Sequence, residues 1–218
     1  MIRMKVRYKY RLRPGKQAER YLLAEWDACR YVWNRMVDES QARYERGETF
    51  GAAQAQKYLT FLRASKTDKD GGKWLAARSC VPQQQIVRDY SQSRGKAVSD
   101  RKTSSRKRKA GMPRHKSRKT TLPSLNYRIG GFTLVEQDGK TRLKLPKGMI
   151  IPVVWSRELP SRPKSVRVYR SPDGHWYASF VVEMEPKPLP ETGHAVGVNY
   201  RNDEHCGLSL SGSASERL

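Results

Sequence analysis

Acidic residues are scarce in this sequence: 21 Asp and Glu stand against 44 Lys and Arg in 218 residues, for a formal net charge of +23. Such an imbalance opposes compaction through self-repulsion, so folding does not explain it, whereas a polyanionic partner does. Cysteine is scarce too. Cys29, Cys80 and Cys206 are odd in number, widely spaced and without a C-x-x-C pair. That argues against a disulfide framework and a zinc site, and for a reducing cytosolic setting. No window of eighteen apolar residues occurs, so no membrane-spanning helix is expected. The opening MIRMKVRYKYRLR lacks the apolar core and small-residue cleavage site of a signal peptide. The length allows one or two domains with a real core.

What is present changes period along the chain. Ile2, Met4, Val6, Tyr8, Tyr10 and Leu12 alternate with Arg3, Lys5, Arg7, Lys9, Arg11 and Arg13. This predicts a half-buried strand whose outer face is wholly cationic and suited to tracking phosphates. After Pro14-Gly15, Leu22, Trp26, Cys29, Trp33 and Met36 recur at spacings of three and four, which predicts a long helix to about Arg46. A second helix is expected from near Thr49, and a third is opened by Ser79 and Pro82. Between Ser99 and Thr121 ten Lys or Arg accompany the single acid Asp100. Such a segment cannot fold by burial alone and is expected to order on a phosphate backbone.

From Phe132 the period returns to two. A hairpin is expected to turn at Asp138-Gly139, MIIPVVW to form an apolar strand, and a second hairpin to turn at Pro172-Asp173-Gly174. The order implies an α+β fold: an antiparallel β-barrel of the oligonucleotide-binding kind, interrupted by a helical insertion.

The stretches YKYRLRPGKQAERYLLAEWDACRYVWNRMV, AGMPRHKSR, PSLNY, VVWSRELP and SVRVYRSPDGHWYASFVVE, in this order, resemble the N-terminal half of TnpB proteins. These are insertion-sequence-encoded, RNA-guided DNA endonucleases similar to type V CRISPR effectors. The resemblance runs from about residue 3 to residue 198. It implies a wedge-type barrel with its first strand in 1–15, a helical recognition lobe in 16–110, the rest of the barrel with a basic entry segment in 111–190, and a linker and truncated RuvC-like start in 191–218. The implied partners are a guide RNA from the transposon end and a double-stranded target DNA, with no membrane, in a bacterial-type cytosol near the nucleoid. Sequence specificity is then left to base pairing, while the protein grips the heteroduplex by its backbone. By the resemblance, Phe50, Gln54 and Gln84 fall where the family reads a target-adjacent motif, and a carboxamide such as Gln84 can pair bidentately with adenine. Arg114, Lys116 and Arg118 fall where it contacts RNA or heteroduplex backbone, joining Arg3, Lys5, Arg7, Lys9 and Arg11 of the first strand. Family members usually carry an aromatic where this chain has His115.

The strand AVGVNYRNDE places Asn199 where the family has its first RuvC aspartate. An Asn keeps the shape but loses the charge that holds a hard cation. Asp203 and Glu204 match nothing in the family pattern. The family's magnesium site and zinc finger have no counterpart in the sequence, so no catalytic residue, metal or cofactor is expected for this chain, and it is not expected to cut DNA alone. Two alternatives accompany that reading: a nuclease-dead RNA-guided DNA-binding repressor, and a generic basic RNA-binding protein. The species of copurifying RNA separates the guide-dependent readings from the generic one.

Overall fold

A computed structural model describes residues 4–65, 72–103 and 109–185. Arg3 and Asn199 lie outside the described residues, as do all of residues 191–218, where a RuvC-like start is expected.

The alternating opening folds as β1 (Met4–Leu12), and the chain then enters helix α1 (Lys16–Glu45). The three-four stripe on α1 is buried: Leu22, Trp26, Cys29, Val32, Trp33 and Met36 all face the core. Helices α2 (Ala52–Ala64), the short α3 (Gly72–Ala76) and α4 (Cys80–Lys102) follow. Arg63 ties these three together. Its guanidinium donates to the carbonyls of Leu75 and Ala76 and, at 2.6 Å, to the side chain of buried Gln83 on α4. At the start of α4 the Ser79 amide donates to both carboxylate oxygens of the buried Glu25 on α1, each at 3.1 Å. An acid at a helix N-terminus is electrostatically favourable.

Six further strands complete the sheet: β2 (Ser124–Arg128), β3 (Thr133–Gln137), β4 (Lys140–Leu145), β5 (Met149–Val154), β6 (Ser165–Arg170) and β7 (Trp176–Met184). Every pairing is antiparallel, and the order is β2-β6-β7-β1-β5-β4-β3. The first strand in sequence therefore lies in the middle of the sheet, between two strands that follow the helices. The β3–β4 turn is the expected one, with Asp138 at φ 54° and Gly139 at φ 67°, the two positive φ values of a type I′ hairpin.

The α+β expectation holds, but the described strands form an open sheet with β2 and β3 as its edges rather than a closed barrel. The sheet is curled. Phe132, at the entrance to β3, lies four strand steps from Phe180 on β7, which in a flat sheet would be about 19 Å. Their ring centroids are 6.3 Å apart. Tyr10 and Trp155 fill the same hollow, at 5.9 and 5.8 Å from Phe180, so aromatic packing holds the curvature. Helix α1 covers the concave side through Trp176, whose indole N–H donates to Glu19, and Tyr21, whose hydroxyl donates to the Pro146 carbonyl.

No helix among the described residues is long and apolar enough to cross a membrane.

Candidate nucleic-acid interface

The pleat sorts the side chains of β1 as its alternation requires. Tyr10 and Leu12 are buried, while Lys5, Arg7, Lys9 and Arg11 are exposed on the opposite, convex face. The register carries that face outward across three more strands. Arg7 lies opposite Val181, which lies opposite Ser165, which lies opposite Arg128; the next row runs Lys9, Ser179, Arg167 and Asn126. Arg11, Tyr177, Tyr169 and Ser124 form the third row. Arg128 and Arg167 are exposed, so the cationic face extends well beyond the strand on which it is legible.

Arg128 also belongs to a second surface. It lines a groove between α2, α4 and the end of β2 with Gln56, Gln84, Gln85, Arg88 and Ile129. The β2–β3 turn forms one wall because Gly131 comes so close to α4 that a Cβ there would lie 2.7 Å from a Val81 methyl. Gln84 and Arg88, one helical turn apart on α4, are both exposed. Gln85 is half-buried and donates to Asp89 at 3.1 Å. A groove exposing the Gln84 carboxamide and the Arg88 guanidinium can pair with adenine and guanine edges, and the exposed Ile129 offers apolar contact to a thymine methyl.

The three residues singled out for motif reading part company. Gln84 stands in the groove. Phe50 does not: it is 3% exposed, packs edge-on against Tyr90 and carries the Arg43 guanidinium over its ring. In this structure it is a core residue and presents no face to DNA. The Gln54 side-chain oxygen accepts from the Gly51 amide at 3.2 Å, holding the first turn of α2.

The described part of the basic segment departs from expectation. Residues 109–118 do not wait for a phosphate backbone but run along α1. Asn34 clamps Lys116 as a neighbouring strand would, accepting from its amide at 2.8 Å and donating to its carbonyl at 3.1 Å. The Trp33 indole donates to the Arg114 carbonyl at 2.8 Å, and the Lys116 amine sits 3.7 Å from the Trp33 ring centroid. Burial in that aromatic corner pulls the Lys116 amine below its ordinary range. His115 meets Asp38 at 2.7 Å, and Arg118 forks onto Asp27. Lys116 and Arg118 are thus engaged within the chain. Arg114 is exposed, with no side-chain partner among the described residues.

Groove partners Gln56, Gln85, Arg88 and Arg128 were not singled out from sequence; the i, i+4 spacing of Gln84 and Arg88 was the available signal. Among the described residues no group of three or more His, Cys, Asp or Glu could hold a metal ion.

Comparison with known proteins agrees with the resemblance. A helix-turn-helix domain family of the IS605 OrfB type matches residues 1–49. Within that span the described chain is one strand and one unbroken helix, α2 beginning only at Ala52. A Streptomyces pristinaespiralis protein named as a candidate RNA-guided DNA endonuclease is 28% identical over 201 residues, covering 91% of this chain and 46% of its own length. An Escherichia coli K12 protein, InsQ, named in the same way, is 28% identical over 195 residues, covering 88% of this chain and 44% of its own length. Both relatives carry the name of an RNA-guided DNA endonuclease. The chain is similar to these proteins, and it spans about half the length of the curated relatives it matches.

Proposed function

We propose that this chain is a nucleic-acid-binding part of a TnpB-type RNA-guided DNA endonuclease, holding a guide RNA on the convex face of the sheet and reading a short target-adjacent DNA motif in the α2–α4 groove. The observation that carries this reading is the position of Arg128. It ends the outward row that starts at Arg7 on β1, with Val181 and Ser165 between them, and it also lines the groove, so the two surfaces share one cation. Backbone contacts set affinity and register, and Gln84 with Arg88 supplies the base discrimination.

The test is a selection of bound duplexes from a library with a randomised motif, using the purified chain with its copurified RNA. Gln84→Ala relaxes base preference at one motif position by about tenfold or more, while RNA affinity is retained. A uniform loss of RNA and DNA binding in that variant would make Gln84 merely structural and remove the groove from the account.

A further inference from the structure

The convex face contains more than cations. Tyr169 on β6 and Tyr177 on β7 lie directly opposite each other in the outward row that includes Arg11, their rings stacked with centroids 5.9 Å apart and planes 28° apart. Neither ring serves the core, which on these strands is filled by Val166, Val168, Ala178 and Phe180 from the other side of the pleat. Both are half-buried under cations rather than under another element. The Lys9 amine is 4.1 Å from the Tyr177 centroid and 5.9 Å from that of Tyr169, and the Arg167 guanidinium carbon is 5.4 Å from the Tyr169 centroid.

A face built only to grip duplex backbone needs charge and has no use for outward aromatic rings. Antiparallel sheets that bind single-stranded RNA expose aromatics from adjacent strands and stack bases on them. Resting on the reading that this face holds RNA, we propose that the Tyr169–Tyr177 pair is a platform for one unpaired nucleobase of that RNA. The base stacks on the paired rings once Lys9 and Arg167, which lie over them here, swing aside to take the phosphates on either side. The Tyr177 hydroxyl donates to Asp173 at 3.3 Å, on the ring's edge and clear of its π-face. The contact is blind to base identity, because every base has a π-face, and it favours a bulge, loop or junction over a continuous helix.

The experiment compares two probes with the full chain: an RNA hairpin carrying a single 2-aminopurine bulge, and the same hairpin fully paired. The wild-type chain binds the bulged hairpin about fivefold or more tightly, and 2-aminopurine fluorescence is quenched on binding, as stacking worth 1–3 kcal/mol per base requires. Tyr169→Leu with Tyr177→Leu, which keeps apolar bulk and is checked for folding by circular dichroism, abolishes the preference and leaves the paired hairpin's affinity unchanged. Tyr169→Phe with Tyr177→Phe retains the preference. Equal binding of both hairpins by the wild type, or equal weakening of both in the leucine variant, overturns the platform while leaving the RNA face intact. Equal preference for the corresponding bulged DNA overturns the assignment to RNA. Binding of neither hairpin overturns the RNA reading of the face itself.

Discussion

Replacing Asn34 by Ala removes the two hydrogen bonds that hold Lys116 to α1. At about 1 kcal/mol each, the strap loses about 2 kcal/mol, which is about a 30-fold rise in the fraction of molecules in which it stands open. The freed amide and carbonyl reach water, so the change is local; the sheet and helix cores keep every contact. Tryptic cleavage after Lys116, followed site by site by mass spectrometry under conditions where the strap opens and closes faster than it is cut, reads that open fraction. We expect cleavage at this bond to accelerate about 30-fold while the melting temperature moves little. Cleavage unchanged at Lys116, or accelerated equally at sites throughout the sheet, would refute the claim that Asn34 secures the strap.

Changing Lys5, Arg7, Lys9 and Arg11 together to Gln should lower the slope of log affinity against log salt by about three for RNA, since each phosphate contact contributes about 0.7 to 0.9. Between 50 and 200 mM salt those four residues therefore account for about 50- to 150-fold of the wild-type loss; an unchanged slope would remove β1 from the interface. Glu25 gives a pH prediction. Burial raises its carboxyl above the ordinary value, outweighing the Ser79 amide and Arg78, which lower it. The folded state therefore holds the proton more tightly than the unfolded chain does, and the associated stability is present below the unfolded pKa of about 4.5 and fades as pH climbs through the folded one. The melting-temperature advantage of wild type over Glu25→Gln should be greatest near pH 4 and shrink towards neutrality. A constant or growing difference would contradict that sign.

Much of this fold can be read from local pattern. The strict alternation of β1, the α1 stripe and the Asp138-Gly139 turn each have a period or a chemistry that names the element. Other features depend on partners distant in sequence. The edge strand β2 is five residues, SLNYR, too short and too polar to announce itself, and it exists because β6 pairs with it. The five-residue α3 is held by Arg63 from another helix. The basic segment reads as unattached charge because its neighbours in sequence offer no counterion. Its partners Asp27, Asn34 and Asp38 stand about 80 residues upstream on α1, at spacings of seven and four that place them along one face.

The site is legible to the same degree. Exposed cations on β1 follow from the pleat, and Gln84 follows from the family resemblance. The assembly of a groove by Gln56, Arg88 and Arg128, and of a tyrosine pair by β6 and β7, depends on register and packing that no single segment contains. Phe50 shows the limit of a position taken from a resemblance: a motif alignment carries no burial, and the packing of Tyr90 and Arg43 encloses the ring.

In the proposed reading the cationic convex face holds one defined RNA. Photo-crosslinking the chain to the RNA that purifies with it, then sequencing that RNA and mapping the joined peptides, tests this directly. We expect a single discrete RNA species attached through peptides of β1, β6 and β7. A heterogeneous RNA population, or crosslinks confined to the helices, would contradict it.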